Sequence, residues 1–280
     1  MNFGSDRAVL LAKAKRLREL IDSPETLVLP NVWDVAGARI VAEAGFPVIA
    51  TSSAGIAWSL GYADGEQITR DEMLFMVRRI AAAVDLPVTA DMEAGYGEAP
   101  DAVAATVRAT LEAGAVGANI EDSSAQGVGH PLLDFELSVE RIAAGKAAAD
   151  DAGIPFVINA RTDGFYPGLS EEAFEETAKR ANAYLAAGAG CVFVPFVRDA
   201  AMIARLVKAI DGPVNILAAA PSPPIPEMQK MGVARVSIGG LFSLMTYTHV
   251  RAACRELRDD GTYGWTKDVI LHPEMNALLA

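Results

Sequence analysis

The sequence predicts an α/β protein that folds as one (β/α)8 barrel, the TIM barrel, across residues 1–280. Eight short apolar segments rich in Val, Ile and Phe alternate along the chain with Ala-rich amphipathic segments. Apolar runs of this kind are typical of parallel strands that are buried on both faces. Eight strand–helix units in succession favour a closed barrel over an open sheet, and 280 residues suit one barrel.

The predicted units are separated by a recurring signal at the helix ends. Gly45, Gly114, Gly188 and Gly232 each follow a helical segment and precede a strand, a place where a left-handed residue commonly ends a helix. Helices are predicted over residues 71–83, 101–113, 138–150 and 171–187. The strands are predicted around Leu29, Ile49, Thr89, Asn119, Ile158, Phe193, Ile216 and Ser237.

The two ends of the chain are predicted to lie outside these units. The N-terminal segment has an amphipathic helical pattern, and we expect it to cap the bottom of the barrel. Residues 259–280 are less regular in pattern, and we expect them to form a C-terminal arm that packs on a neighbouring subunit.

Composition excludes several classes of function. The formal net charge of −12 speaks against nucleic acid as a partner, because phosphate backbones bind surfaces rich in Lys and Arg. Since no run of about 18 uninterrupted apolar residues occurs, we expect no membrane span. The two cysteines, Cys191 and Cys254, imply no disulfide framework and fit a reducing, cytoplasmic compartment.

Polar side chains gather at the ends of neighbouring predicted strands. Asp91 and Glu93 are two residues apart after the third strand, so their side chains point to the same face. Glu121 ends the fourth strand and Arg161 the fifth, and the carboxyl ends of barrel strands form the active site. Carboxylates this close repel strongly unless a cation or protons intervene, and oxygen ligands without His or Cys favour Mg²⁺, or Mn²⁺, over Zn²⁺. Arg161 has a fork that could clamp a substrate carboxylate or phosphonate.

In order and spacing, several segments resemble the isocitrate lyase / phosphoenolpyruvate mutase superfamily. The resemblance covers residues 27–242 and is carried by PNVWDVAGARIVAEAGF, TSSAGIAWSLGYAD, TADMEAGYG, ANIEDS and NARTD. It implies a Mg²⁺-dependent barrel that makes or breaks C–C or P–C bonds next to a 2-oxo acid, through an enolate-like species.

The resemblance also implies roles for individual residues. Asp91 would be the direct or nearest metal ligand, Glu93 and Glu121 would hold the metal directly or through waters, and Asp64 would join them through water. Arg161 would grip a carboxylate of the substrate. The 2-oxo acid end would lie among Ser52, Ser53 and Ala54, with Asn215 lining the pocket.

The sequence departs from the family pattern at two places. The family's Asp-x-Asp on the third strand is Asp91-Met92-Glu93 here. The loop after the fourth strand, residues 123–130, lacks the acid/base Cys of the lyase branch as well as the Lys and Asn of the mutase branch. His130 remains as a candidate acid/base, since its pKa range suits that role; an exposed loop histidine beside Pro131 is the alternative.

Three functions remain open on this sequence. We expect a Mg²⁺-dependent C–C lyase for a small oxaloacetate- or malate-like di-acid. The alternatives are a P–C bond enzyme of the phosphoenolpyruvate mutase or phosphonopyruvate hydrolase type, and a non-catalytic metal- or ligand-binding barrel. A Schiff-base aldolase is disfavoured, because every lysine falls on a helical or tail segment. The resemblance further implies a homo-oligomer, a dimer or tetramer formed by swapping the last helix.

Overall fold

The computed structural model describes residues 7–123 and 131–280, and within them nine parallel strand segments form a nearly closed barrel. The strands are β1 (Leu27–Leu29), β2 (Asn31–Val32), β3 (Ile49–Thr51), β4 (Val88–Asp91), β5 (Gly117–Glu121), β6 (Val157–Arg161), β7 (Cys191–Val194), β8 (Val214–Leu217) and β9 (Arg235–Ser237). The helices are α1 (Arg7–Ile21), α2 (Val35–Glu43), α3 (Ser53–Ser59), α4 (Arg70–Ala82), α5 (Pro100–Glu112), α6 (Phe135–Ala152), α7 (Glu171–Ala186), α8 (Ala200–Ala209), α9 (Ile225–Met231), α10 (Leu241–Asp259) and α11 (His272–Leu279), with a 3-10 turn at Gly264–Asp268. The predicted (β/α)8 barrel is confirmed.

The first predicted strand is divided into two segments, which is why nine are present. Pro30 lies between β1 and β2, and proline has no backbone N–H to donate to a neighbouring strand. β1 pairs with β9 and β2 pairs with β3, so the two segments together close the ring. They form one stave of an eight-stave barrel.

The helix-ending glycines adopt the predicted conformation. Gly45, Gly114, Gly188 and Gly232 all have φ between 85° and 103°, which a residue with a Cβ atom adopts only at a cost. The four predicted helices correspond to α4 to α7, with ends that differ by a few residues. These short connections bring each helix back to the amino end of the next strand.

The barrel interior contains rows of side chains that run across the strands in register. In one row, Asp91, Asn119, Asn159 and Cys191 are successive partners on β4 to β7. A second row connects Glu121, Arg161, Phe193, Asn215 and Arg235 on β5 to β9. Because partners in a parallel sheet share a face, these rows place polar groups from several strands in one interior.

Helix α1 closes the amino end of the barrel, as predicted. Its buried face comprises Leu10, Ala14, Leu17 and Ile21. Leu17 packs so closely on the start of β5 that a Cβ atom on Gly117 would lie 2.9 Å from its Cδ2 atom. Such an atom would also lie 3.0 Å from the backbone oxygen of Val157, so a larger residue at this position would force its neighbours to shift.

The C-terminal segment is built differently from the rest. Of the 19 residues of α10 only Ser243 is buried, whereas α11 returns to contact α2. Among the described helices, none combines the length and apolar character needed to cross a membrane.

The packing of α1 predicts the effect of truncating Leu17. We expect Leu17→Ala to lower the free energy of unfolding by about 2–5 kcal/mol, because it leaves a cavity at the barrel bottom. Denaturant unfolding monitored by circular dichroism measures this. Val9→Ala on the same helix, at a side chain that is 45% exposed, is the control and should change the value by less than about 0.5 kcal/mol. Equal effects of the two changes would contradict the capping role of α1.

Candidate active site

A cavity of about 320 Å³ opens at the carboxyl ends of the strands. That is the end of a barrel at which active sites lie. Of the residues predicted from the sequence, the cavity wall contains Ser52, Ser53, Ala54, Asp64, Asp91 and Arg161. Its other polar side chains are Asn31, Asn119 and Ser237.

Asp91, the last residue of β4, is held by three donors. Its Oδ2 atom accepts hydrogen bonds from the Ser53 hydroxyl at 2.7 Å and the Ser53 backbone N–H at 3.2 Å. Its Oδ1 atom accepts from Nδ2 of Asn119 at 3.1 Å, and Asn159 in turn donates to Asn119 at 2.7 Å. The carboxylate is thus oriented before any ligand binds, and the Ser53 hydroxyl is engaged with it.

Ser52 and Ala54 lie beside Asp91 at the start of α3. The Ser52 hydroxyl oxygen caps this helix by accepting from the Gly55 N–H at 3.1 Å, which leaves its own proton free to be donated. Ala54 follows within the first turn of the helix, where backbone N–H groups have no partner inside the helix. The segment therefore presents donors to the cavity.

Arg161, at the end of β6, is fixed by two carboxylates. It donates to Asp163 from Nε at 2.6 Å and from Nη2 at 2.9 Å, and to Glu121 from Nη1 at 2.6 Å. Burial by itself would lower the pKa of Arg161, but the charges of Glu121 and Asp163 raise it above the usual range. Three of its five N–H donors are used, so two remain for a ligand in the cavity.

Asp64 and Glu93 lie in an acidic neighbourhood next to Asp91. Burial and then the Asp91 charge raise the pKa of Asp64, and the same two causes raise the pKa of Glu93 to about 8. Glu93 accepts from the Glu66 N–H at 2.5 Å through Oε2, while its buried Oε1 atom has no partner in the described part of the chain. Glu66, which the sequence analysis missed, accepts from the Tyr96 N–H at 2.8 Å.

The predicted metal ligands are neighbours, but they do not converge as a closed cage. Across residues 7–123 and 131–280, no three His, Cys, Asp or Glu side chains are grouped so as to hold one ion. Glu121 is turned to Arg161 and Glu93 to the Glu66 N–H. Mg²⁺ usually binds through one or two carboxylates and keeps several waters, so this donor set does not need a cage. An all-oxygen set with an unpartnered buried Glu93 oxygen fits such an ion.

Three of the predicted residues that the structure describes, Glu93, Glu121 and Asn215, are not part of the cavity wall. Asn215 is buried beneath the cavity, where its Nδ2 atom donates to the Ser237 hydroxyl at 3.0 Å and its Oδ1 atom has no partner among the described residues. His130 lies outside the described residues, with the rest of the segment 124–130. The part of His130 in proton transfer stays a prediction.

A buried cation below the cavity was missed by the sequence analysis. Arg235 is 1% exposed, and its Nε and Nη1 atoms have no hydrogen-bond partner in the described chain. Burial lowers its pKa, whereas the negative charge of Asp91 acts in the opposite direction. The guanidinium therefore stabilises the negative charge of Asp91 from beneath.

Comparison with known proteins identifies similar chains. Residues 17–258 match the family described as phosphoenolpyruvate phosphomutase. An uncharacterised protein of Mycobacterium tuberculosis (strain H37Rv) is 36% identical over 81% of this chain and 83% of its own length. The 2-methylisocitrate lyase of Escherichia coli K12 is 32% identical over 73% of this chain and 69% of its own length.

Solved structures that are similar to this chain include a lyase/mutase and two hydrolases. A protein of Burkholderia cenocepacia J2315 described as a lyase/mutase is 36% identical, with a TM-score of 0.91 over 98% of this chain and 97% of its own. Oxaloacetate acetylhydrolase in complex with oxalate is 27% identical, with a TM-score of 0.87 over 96% and 94%. Phosphonopyruvate hydrolase in complex with oxalate and Mg²⁺ is 25% identical, with a TM-score of 0.84 over 95% and 94%.

The burial of Cys191 inside the barrel predicts that its thiol does not react in the folded protein. Burial raises the pKa of Cys191 to about 12, so at pH 8 it is an inaccessible, protonated thiol. We expect a Cys254→Ser variant, which retains only Cys191, to show no thiol reaction with Ellman's reagent in the folded state. The same variant should show one thiol in denaturant. A stoichiometric reaction of the folded variant would contradict the placement of Cys191.

Proposed function

The chain belongs to the phosphoenolpyruvate phosphomutase family, within the isocitrate lyase / phosphoenolpyruvate mutase superfamily of lyases and mutases, and from this we propose a specific activity. The protein is a Mg²⁺-dependent lyase that breaks a carbon–carbon bond of a small 2-oxo or 2-hydroxy di-acid, through an enolate-like intermediate. The observation that carries the proposal is the meeting of Asp91, Arg161 and the Ser52–Ala54 donors in one cavity.

Each group in the cavity suits one part of this chemistry. The two free N–H donors of Arg161 bind a carboxylate of the substrate. The Ser52 hydroxyl and the Ala54 N–H donate to the oxygen on which negative charge develops as the bond breaks. Because Arg161 and Asp91 are already held by their neighbours, little reorganisation is needed when the substrate binds.

The metal would be held from the acidic side of the cavity. Asp91 would be the nearest ligand, and Glu93, Glu121 and Asp64 would hold the ion directly or through water. When bound, Mg²⁺ supplies a Lewis acid that polarises the substrate's oxygen atoms. Mn²⁺ has the same preference for oxygen ligands and can replace it. His130 is the candidate that moves the proton. The two unpaired cysteines suit the reducing cytoplasm as the location of such an enzyme.

The alternative is cleavage of a P–C bond, and the family match itself favours it. Phosphonopyruvate hydrolase has the same fold, and Arg161 could bind a phosphonate as well as a carboxylate. The 2-methylisocitrate lyase and oxaloacetate acetylhydrolase relatives favour the C–C reaction, as does the absence of the mutase Lys and Asn from the loop at 123–130. A barrel that only binds its ligand is the remaining alternative.

Turnover measured on a panel of substrates distinguishes C–C cleavage, P–C cleavage and simple ligand binding. We expect product from oxaloacetate- or malate-like acids with Mg²⁺, detected by NMR. Asp91→Ala should lower turnover by about 100-fold or more and abolish Mg²⁺ binding measured by calorimetry. The control Glu140→Ala, at an exposed position on α6, should change neither. Product only from phosphonopyruvate would establish the P–C alternative, and no product from any acid would favour a binding protein.

We also propose that α10 pairs the protein with a second copy of itself. The helix leaves the barrel instead of packing along it, and exposes Leu244 (48%), Met245 (52%), Val250 (54%) and Leu257 (54%). An apolar surface of this extent on one helix is typical of an oligomer interface. Exchange of α10 between copies would bury it in a dimer, or in a tetramer built from two dimers.

Light scattering after size exclusion tests this interface. We expect the protein to form a dimer or tetramer, and the double variant Leu244→Asp, Val250→Asp to lose at least half of the molar mass, because charges are costly in an apolar interface. Lys208→Asp on α8 is the control and should leave the mass unchanged. A monomeric protein, or a double variant of unchanged mass, would overturn the proposal.

A further inference from the structure

The cavity has two chemically different walls. The ends of β3 and β4 contribute Ser52, Ser53 and Asp91, all polar. The ends of β7 and β8 contribute Phe193, Pro195, Phe196 and Leu217, all apolar. In the order of staves around the ring, β7 and β8 lie opposite β3 and β4. A bound molecule therefore faces hydrogen-bonding groups on one side and a hydrocarbon surface on the other.

Phe196 is held in a conformation that its side chain disfavours. Its φ is 66°, in the left-handed region, where a bulky residue is a rare outlier and glycine would be unstrained. Burial does not account for the ring, because 37% of the residue is exposed. Such strain is usually found at binding and catalytic sites, where the surrounding structure maintains it.

Two neighbours keep the ring at the cavity. The Tyr166 ring meets Phe196 edge to face at 5.4 Å between centroids, and the Arg161 guanidinium lies 5.9 Å from the Phe196 centroid. Shielding Arg161 is not a sufficient reason for the ring, since Phe193 already covers the guanidinium at 5.6 Å. The remaining face of Phe196 belongs to the cavity wall.

A wholly polar di-acid gains nothing from this wall, since its carboxylates would lose water there without finding donors. A hydrocarbon substituent gains from it, by about fourfold in affinity for each buried methylene group. Arg161 stands between the polar groups and the apolar wall, so an acid bound to its free N–H donors has its substituent near Phe193 and Phe196.

We propose that Phe193, Phe196 and Leu217 form a subsite for a hydrocarbon substituent of the substrate. The preferred substrate is then a 2-oxo or 2-hydroxy acid that carries an alkyl substituent, not an unsubstituted four-carbon di-acid. This specificity rests on the proposed function, because it assumes that the acid end of the substrate binds at Arg161 and the Ser52–Ala54 donors.

Binding measurements test the subsite without requiring turnover. Calorimetry with Mg²⁺ compares malate with 3-isopropylmalate on the whole protein. We expect isopropylmalate to bind at least tenfold more tightly to the unchanged protein. In Phe196→Gly, which relieves the backbone strain and should keep the melting temperature, this ratio should fall below about threefold.

Two further variants make the result decisive. Leu217→Ala removes another part of the wall and should also lower the ratio, so the test does not depend on one variant's folding. Phe75→Ala is the matched control, because it removes an aromatic ring that is 57% exposed on α4 and should leave the ratio unchanged.

The outcomes separate the subsite from the proposed function. Equal affinity for the two acids, or a ratio that Phe196→Gly and Leu217→Ala leave unchanged, overturns the subsite while the binding of malate still supports the function. Failure of both acids to bind overturns the acid-binding assignment of the cavity and the subsite with it.

Discussion

The ion pairs of Arg161 are the interaction on which the site depends. Its guanidinium joins Glu121 on β5 to Asp163 beyond β6, and all three side chains are largely buried. A buried charge of this kind is stable only when it is both paired and hydrogen-bonded, and the loss of one partner leaves the others uncompensated. The pairs thus fix the ends of two adjacent staves and aim the free donors of Arg161 into the cavity.

Near the ion pairs of Arg161, the site has an excess of acidic side chains. Asp64, Glu66, Asp91 and Glu93 are close enough for burial and mutual repulsion to raise the pKa of the Asp64 and Glu93 carboxyls. Arg235 offsets part of this from below. The Oε1 atom of Glu93, which has no hydrogen-bond partner in the described chain, supports the proposed cation site. The divalent cation proposed for this site would offset the negative charge of the four carboxylates.

The apolar wall of the cavity and helix α10 are two features that lie apart from the acidic side chains of the site. Relatives that are similar to this chain are named for different acids, and one fold can hold sites for different substrates, so substrate preference depends on the particular side chains that line each cavity. Phe193, Phe196 and Leu217 are such side chains here. Helix α10 lies outside this cavity chemistry, and several of its apolar residues are about half exposed in the described chain.

The sequence by itself determined the barrel, the order of its staves and the residues at their carboxyl ends. Local rules suffice for these: apolar runs specify strands, Gly45 and Gly114 end helices, and the spacing of Asp91 and Glu93 or of Asn119 and Glu121 assigns a face. Only the tertiary structure decided how those residues pair. It engaged the Ser53 hydroxyl with Asp91, turned Glu121 towards Arg161 and placed Asn215 below the cavity. It also brought Glu66 and Arg235 to the site, and both come from segments distant in sequence from Asp91. Such contacts depend on distances between staves, and no local pattern encodes a distance between residues that are far apart in the chain.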